Sequence, residues 1–206
     1  MAKSNQSTQR IEALVERVRS DIRLGIFEFG QPLRLIDLQE AYSASQFDVR
    51  QALLQLKALN VVEHRQNFGF RVREQEPSEP GDLRFVRLAL ERSAVPLVVA
   101  RANAADLSEM KVSAEEFESH IEGARQDLAR ANVKFHQSVY RASQNVILTN
   151  LIDDLRTRSY VGTTGRWRST EGRRASSAEH FEMVSAIERR DPAELDRLIL
   201  LHIGNF

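Results

Sequence analysis

The sequence predicts a mainly α-helical chain in two parts: a short helical unit that ends in a small β-hairpin, followed by an all-helical bundle. Three observations predict it. Apolar residues recur at three- and four-residue spacing along most of the 206 residues, and Val/Ile/Thr-rich alternation is nearly absent from the second half. Between the halves lies Glu74-Gln75-Glu76-Pro77-Ser78-Glu79-Pro80-Gly81, where prolines, a glycine and acids break any apolar period and favour an extended connector. The expected domains are therefore residues 1–74 and 83–206, with 75–82 as linker.

Composition narrows the function classes. A hydrophobic content of 42% is enough for a core in each part, which excludes disorder as the dominant state. The 29 Lys/Arg balance 29 Asp/Glu, so no overall basic excess announces a nucleic-acid partner. The first 74 residues carry 11 basic and 9 acidic side chains, an asymmetry too small to decide anything. With no cysteine, disulfides, thiolate metal sites, iron–sulfur clusters and Cys nucleophiles are ruled out. No apolar run is long enough to span a bilayer and the polar start has no signal-peptide core, so a cytoplasmic protein with no membrane partner is expected.

In the first half, Ile11, Leu14, Val15, Val18 and Ile22 share one helical stripe, closed by Gly25 before the turn Phe29-Gly30-Gln31-Pro32. A short helix from about Asp37 to Tyr42 ends at Ser43-Ala44-Ser45, and a second starts at once. Ser45 can cap it, and Val49, Ala52, Leu53 and Leu56 form its apolar side while Gln46, Arg50, Gln51 and Gln55 point elsewhere. Two short helices joined by a tight bend make a helix-turn-helix, whose second helix fits a major groove. Val61–Arg65 and Phe70–Arg73 then flank Gln66-Asn67-Phe68-Gly69, a hairpin with a polar tip that serves as a wing.

Residues 11–73 resemble the winged-helix domain of GntR-type bacterial transcription regulators. The matching positions are Gly25, Gly30, Leu33, Leu38, Ala41, Val49-Arg50-Gln51-Ala52-Leu53, Leu56, Val61-Val62 and Gly69-Phe70-Arg71-Val72. The resemblance implies double-stranded DNA as partner, with Arg34, Ser45, Gln46, Arg50, Gln51, Asn67 and Gly69 as candidate contacts. Where the family opens its recognition helix with Ser-Arg-Thr-Pro, this chain has Ser45-Gln46-Phe47-Asp48. One arginine contact is lost, Asp48 sets an anion where phosphates approach, and Gln46 can pair with adenine instead.

The second half reads as about six helices. Its expected apolar stripes are Phe85, Leu88, Ala89, Arg92 and Val95, then Val133, Phe135, His136, Val139 and Tyr140, then Phe181, Val184, Ile187 and Glu188; Pro96 is expected to kink the first of these helices. Asn132 and His136, four apart, can present an amide oxygen and an imidazole to one point. His180 near the start of a helix 180–189 and His202 in a helix 193–203 can turn inward after Asp191-Pro192. Three imidazoles and an oxygen suit Zn²⁺, Ni²⁺ or Mn²⁺. His64 and His120 fit no pattern.

Residues 83–205 resemble the all-helical FCD ligand-binding domain of FadR-like regulators, through Arg87-Leu88-Ala89-Leu90-Glu91, Asn132 to His136, Ala142-Ser143-Gln144-Asn145, Glu179-His180 and His202. The resemblance implies a divalent metal on Asn132, His136, His180 and His202, a small carboxylate effector nearby, and a homodimer on a palindromic operator, acting as a repressor. Asn132 replaces an acidic ligand, so a vacant site and direct effector binding without metal stay open. Arg87 is a candidate effector clamp, with an intrahelical pair to Glu91 as the alternative. Two other readings remain: a metabolite-binding protein with degraded DNA recognition, and a metal-dependent enzyme. For the enzyme no general base is placed and no catalytic motif is found, so the chain is expected not to be one.

Overall fold

The computed structural model describes residues 2–74, 79–158, 167 and 169–204. The chain forms two compact units, Met1–Pro77 and Ser78–Phe206.

The first unit contains α1 (Ala2–Arg23), β1 (Pro32–Leu33), α2 (Leu35–Tyr42), α3 (Gln46–Ala58), β2 (Val62–Arg65) and β3 (Gly69–Val72). The stripe Ile11, Leu14, Val15, Val18 and Ile22 of α1 is buried in one cluster with Val49, Ala52, Leu53 and Leu56 of α3 and with Leu38 and Tyr42 of α2. Each of these larger side chains withdraws enough apolar surface to stabilise the unit by about 1.5–3 kcal/mol. Tight local chemistry forces the bend between α2 and α3. Ser43 turns left-handed (φ 51°) and ends α2, and Ser45 Oγ accepts the Asp48 N–H at 3.1 Å to start α3.

The sheet is antiparallel with order β1-β3-β2, pairing Leu33 with Phe70 and Val62 with Val72. The strand Pro32–Leu33 is not expected from the sequence, because two residues carry no periodicity. It forms because β3 offers it an edge, and Gly30 (φ 74°) donates its N–H to the Val72 carbonyl at 3.0 Å. Asn67 (φ 69°) and Gly69 (φ 77°) turn the hairpin.

The second unit is α4 (Glu79–Arg101), α5 (Ala104–Ser119), α6 (Arg125–Arg141), α7 (Val146–Arg158), α8 (Thr170–Glu188) and α9 (Pro192–Gly204). α5 packs between α6 and α8, α9 packs on α8 and α4, and α7 on α4 and α6. Asn103 and Asp106 form a capping box at the start of α5. The return from α8 to α9 takes three residues, with Arg190 at φ 58° and Asp191 Oδ1 accepting the Glu194 N–H at 3.0 Å. Among the described residues no helix is long and apolar enough to cross a membrane.

Two expectations for this unit are corrected. The stripe assigned to α4 is rotated: Phe85, Ala89 and Arg92 are exposed, whereas Arg87, Glu91, Ala94, Val95 and Val98 are buried. The polar residues at 87 and 91 disguised the inner face because they satisfy one another inside the bundle. The helix carrying His180 begins at Thr170, capped by Ser169, so His180 stands in its middle. α4 also continues through Pro96 to Arg101.

Candidate functional site

The bundle brings His136 of α6, His180 of α8 and His202 of α9 together, with one nitrogen of each within 4.8 Å of the others and all three rings buried. Phe135 stacks on His180 with ring centroids 3.9 Å apart, and Phe117 meets it edge-on at 4.6 Å. His136 Nε2 lies 3.1 Å from His202 Nε2. On its far side, His202 donates from Nδ1 to Glu179 Oε2 at 2.7 Å. That bond fixes the tautomer: the Nε2 of His202 carries a lone pair and faces the other imidazoles. Asn132, one turn before His136, is equally buried, and its Oδ1 and His136 Nδ1 have no hydrogen-bond partner among the described residues.

Burial, and after it the cation of Arg156, pushes the His136 pKa well below the ordinary histidine value. Burial also lowers that of His202, outweighing the opposing pull of Glu179. Both rings are therefore neutral, the state a metal ion requires. The donor set, three buried imidazoles and an orphaned amide oxygen, fits a divalent cation.

Beside the imidazoles lies a buried charge network. Glu91 Oε1 accepts from Arg87 Nε at 2.9 Å, Glu91 Oε2 accepts from Arg156 Nη1 at 2.9 Å, and the Tyr140 hydroxyl donates to the same carboxylate. Burial opposes ionisation of Glu91, but Arg156 and Arg87 outweigh it and hold the carboxyl below its usual range. Two guanidinium groups share the Glu91 carboxylate beside the histidines, and Asp153 adds a second acid near Arg156.

Arg87, named from sequence as an effector clamp, thus sits in the intrahelical pair with Glu91. Sequence reasoning gives no role to Arg156 or Glu179. Arg156 stands in the last turn of an ordinary amphipathic helix with two acids close by, which gives no signal of a buried cation. Adjacent residues on a helix diverge, and that divergence is what sends Glu179 to His202 while His180 joins the other imidazoles.

On the winged helix, Arg34, Gln46, Arg50 and Asn67 are exposed, and Gln51 and Gly69 are half-buried. Ser45 is committed to the cap of α3. Asp48 is a correction: it is buried rather than facing outward, in the cleft it shares with Arg10 and Arg17 of α1, because it is the third residue of a capped helix. Its charge is thus turned away from the exposed face. On the wing, Glu63 binds both Arg65 and Arg71, which offsets part of the basic charge there.

A helix-turn-helix with a short three-stranded wing, followed by an all-helical domain, defines a class of DNA-binding transcription regulator. The comparisons name the family. Residues 10–72 match the model of bacterial regulatory proteins, gntR family, and residues 82–205 match the FCD domain, and the chain belongs to this family. It is 29% identical over 188 residues to a probable D-xylose utilization operon transcriptional repressor of Paenarthrobacter nicotinovorans, covering 90% of this chain and 82% of that one. It is 26% identical to the transcriptional regulator McbR of Escherichia coli, covering 87% and 84%. The solved structure of E. coli McbR/YncC shares the fold, with a TM-score of 0.86 at 21% identity over 95% of this chain and 93% of that one. The family is one of transcription regulators, not of enzymes.

Proposed function

We infer that the protein is a homodimeric repressor whose helical domain binds a small carboxylate effector beside a divalent cation held by His136, His180, His202 and Asn132. The observation that carries the effector site is the buried convergence of three imidazoles with the orphaned amide oxygen of Asn132. When bound, the metal supplies a Lewis-acidic point charge that attracts a carboxylate. The chain's own residues do the rest: Glu179 orients His202, Phe135 and Phe117 fix His180, and Arg87 and Arg156 make the neighbourhood attractive to anions.

Arg50, Gln46 and Gln51 of α3, with Arg34, Ser45 and the wing residues Asn67 and Gly69, are the proposed DNA contacts. One recognition helix spans too few base pairs for a specific genomic site, so two copies on a palindromic operator follow. The effector acts by favouring one arrangement of the two winged helices over another.

Metal analysis of the purified protein, with calorimetric titration of Zn²⁺, Ni²⁺ and Mn²⁺, tests the cavity. His180→Ala is expected to abolish metal uptake while leaving DNA binding by the effector-free protein intact. Asn132→Asp is expected to tighten uptake by at least roughly tenfold, since it adds a negative ligand in a low-dielectric site. Indifference of the wild type to all three ions, with no gain in Asn132→Asp, overturns the metal. A second reading then stands on the two guanidinium groups gathered at Glu91: the effector carboxylate is bound by Arg87 and Arg156 directly.

A further inference from the structure

The exposed face of α3 is not uniformly polar. Phe47 is 61% exposed in its first turn, and Arg50, Gln51 and Leu54 follow it at helical spacing, with Leu54 42% exposed. Most of the Phe47 side chain stays in water, and only its covered part borders the cleft with Arg10, Arg17 and Asp48. The buried work of the helix is done by Val49, Ala52, Leu53 and Leu56 on the opposite side. At the hairpin the same anomaly recurs. Asn67 adopts the left-handed turn, and Phe68 beside it is 84% exposed, the most exposed of the large apolar side chains among the described residues. The two rings are flanked by donors suited to DNA: Gln46 and Arg50 beside Phe47, Arg65, Gln66 and Asn67 beside Phe68. Asp48, the nearest acid to Phe47 in sequence, is turned inward.

We propose that Phe47 and Phe68 are apolar readers of the operator, Phe47 packing on thymine 5-methyl groups in the major groove and Phe68 wedging against base steps in the minor groove. The chemistry favours this use. The thymine methyl is the apolar feature of the major-groove edge, and an aromatic ring covers it without needing a hydrogen bond. A phenylalanine at the end of a two-stranded ribbon is the shape that unstacks a base step and bends the duplex. The proposal rests on α3 and the wing being the DNA-contacting elements, and it adds specificity for T-containing half-sites in place of the arginine contact that Gln46 lacks.

The test uses the full chain. A duplex is first selected from random DNA, and each thymine in it is then replaced singly by deoxyuridine, which removes only the methyl group. Wild type is expected to lose roughly fourfold in affinity at one or two thymines per half-site, the loss that uncovering one methyl group gives. Phe47→Ala is expected to bind more weakly and to ignore the same replacements. Phe68→Ala is expected to leave the deoxyuridine penalties unchanged and to reduce the bend of the bound duplex, read by energy transfer between its ends. Both variants keep the thermal unfolding of wild type, because both rings are exposed. Wild-type indifference to every deoxyuridine, or a penalty that survives in Phe47→Ala, overturns the role of Phe47. An unchanged bend overturns that of Phe68. Failure of the selection to enrich any duplex overturns the DNA-contact assignment itself, which is a different result from enrichment without methyl dependence.

Discussion

In the winged helix, Asp48 is the one polar side chain buried among the described residues, and the candidate contacts stand outside an apolar core. In the bundle the arrangement is inverted: Arg87, Glu91, Asn132, His136, Glu179, His180 and His202 are buried at the centre, and the apolar cluster surrounds them. The difference suits what each unit is proposed to recognise. A DNA duplex is too large to enter a domain and must be met on a surface already folded beneath it. A small anion is held selectively only where water is excluded and charge is weakly screened. The winged helix can therefore change its specificity without changing its stability, whereas the bundle cannot alter its site without altering its core.

The largest expected effect is at Glu91. Glu91→Ala leaves two buried guanidinium groups without their carboxylate and should cost about 3–5 kcal/mol. Hydrogen exchange on the full chain should show lost protection in α4, α6 and α7 and little change in α1 to α3. Equal loss in both units would break the contrast. The pH dependence sharpens it. Glu91 has its pKa lowered by folding, so its contribution is complete above the unfolded-state value of about 4.3 and is lost as the pH falls through the lower folded value. The stability gap between wild type and Glu91→Gln, measured by urea unfolding, should narrow below about pH 4.

Arg50→Ala should have the opposite profile. Operator affinity should fall by about 1–3 kcal/mol, while thermal unfolding stays at the wild-type temperature. Undiminished affinity in the folded variant would remove Arg50 from the interface. The smallest effect is expected at Ser45, where the two regimes meet because its hydroxyl caps α3 from the exposed side. Ser45→Ala should cost about 1 kcal/mol of winged-helix stability, and Ser45→Asp, which keeps the cap, should restore it. A Ser45→Ala variant as stable as wild type would show that the Asp48 N–H finds another acceptor.

Much of this was legible in the chain itself. The stripe of α1, the buried side of α3, the cap at Ser45 and the hairpin follow from local periodicity and turn chemistry, which act over a few residues. The same holds for the Asn132 and His136 pair, one helical turn apart. What the sequence could not decide is how side chains distant along the chain meet. Arg87 and Glu91 read as a solvated pair until Arg156, 65 residues away, and Tyr140 close on the same carboxylate. Glu179 reads as a misdirected neighbour of His180 until α9 returns His202 to it. Phe47 and Phe68 read as ordinary apolar residues until the core is complete without them. A buried charge is stable only if its partners arrive from other elements, and an exposed aromatic is recognisable only once the interior is filled, so both are properties of the tertiary fold.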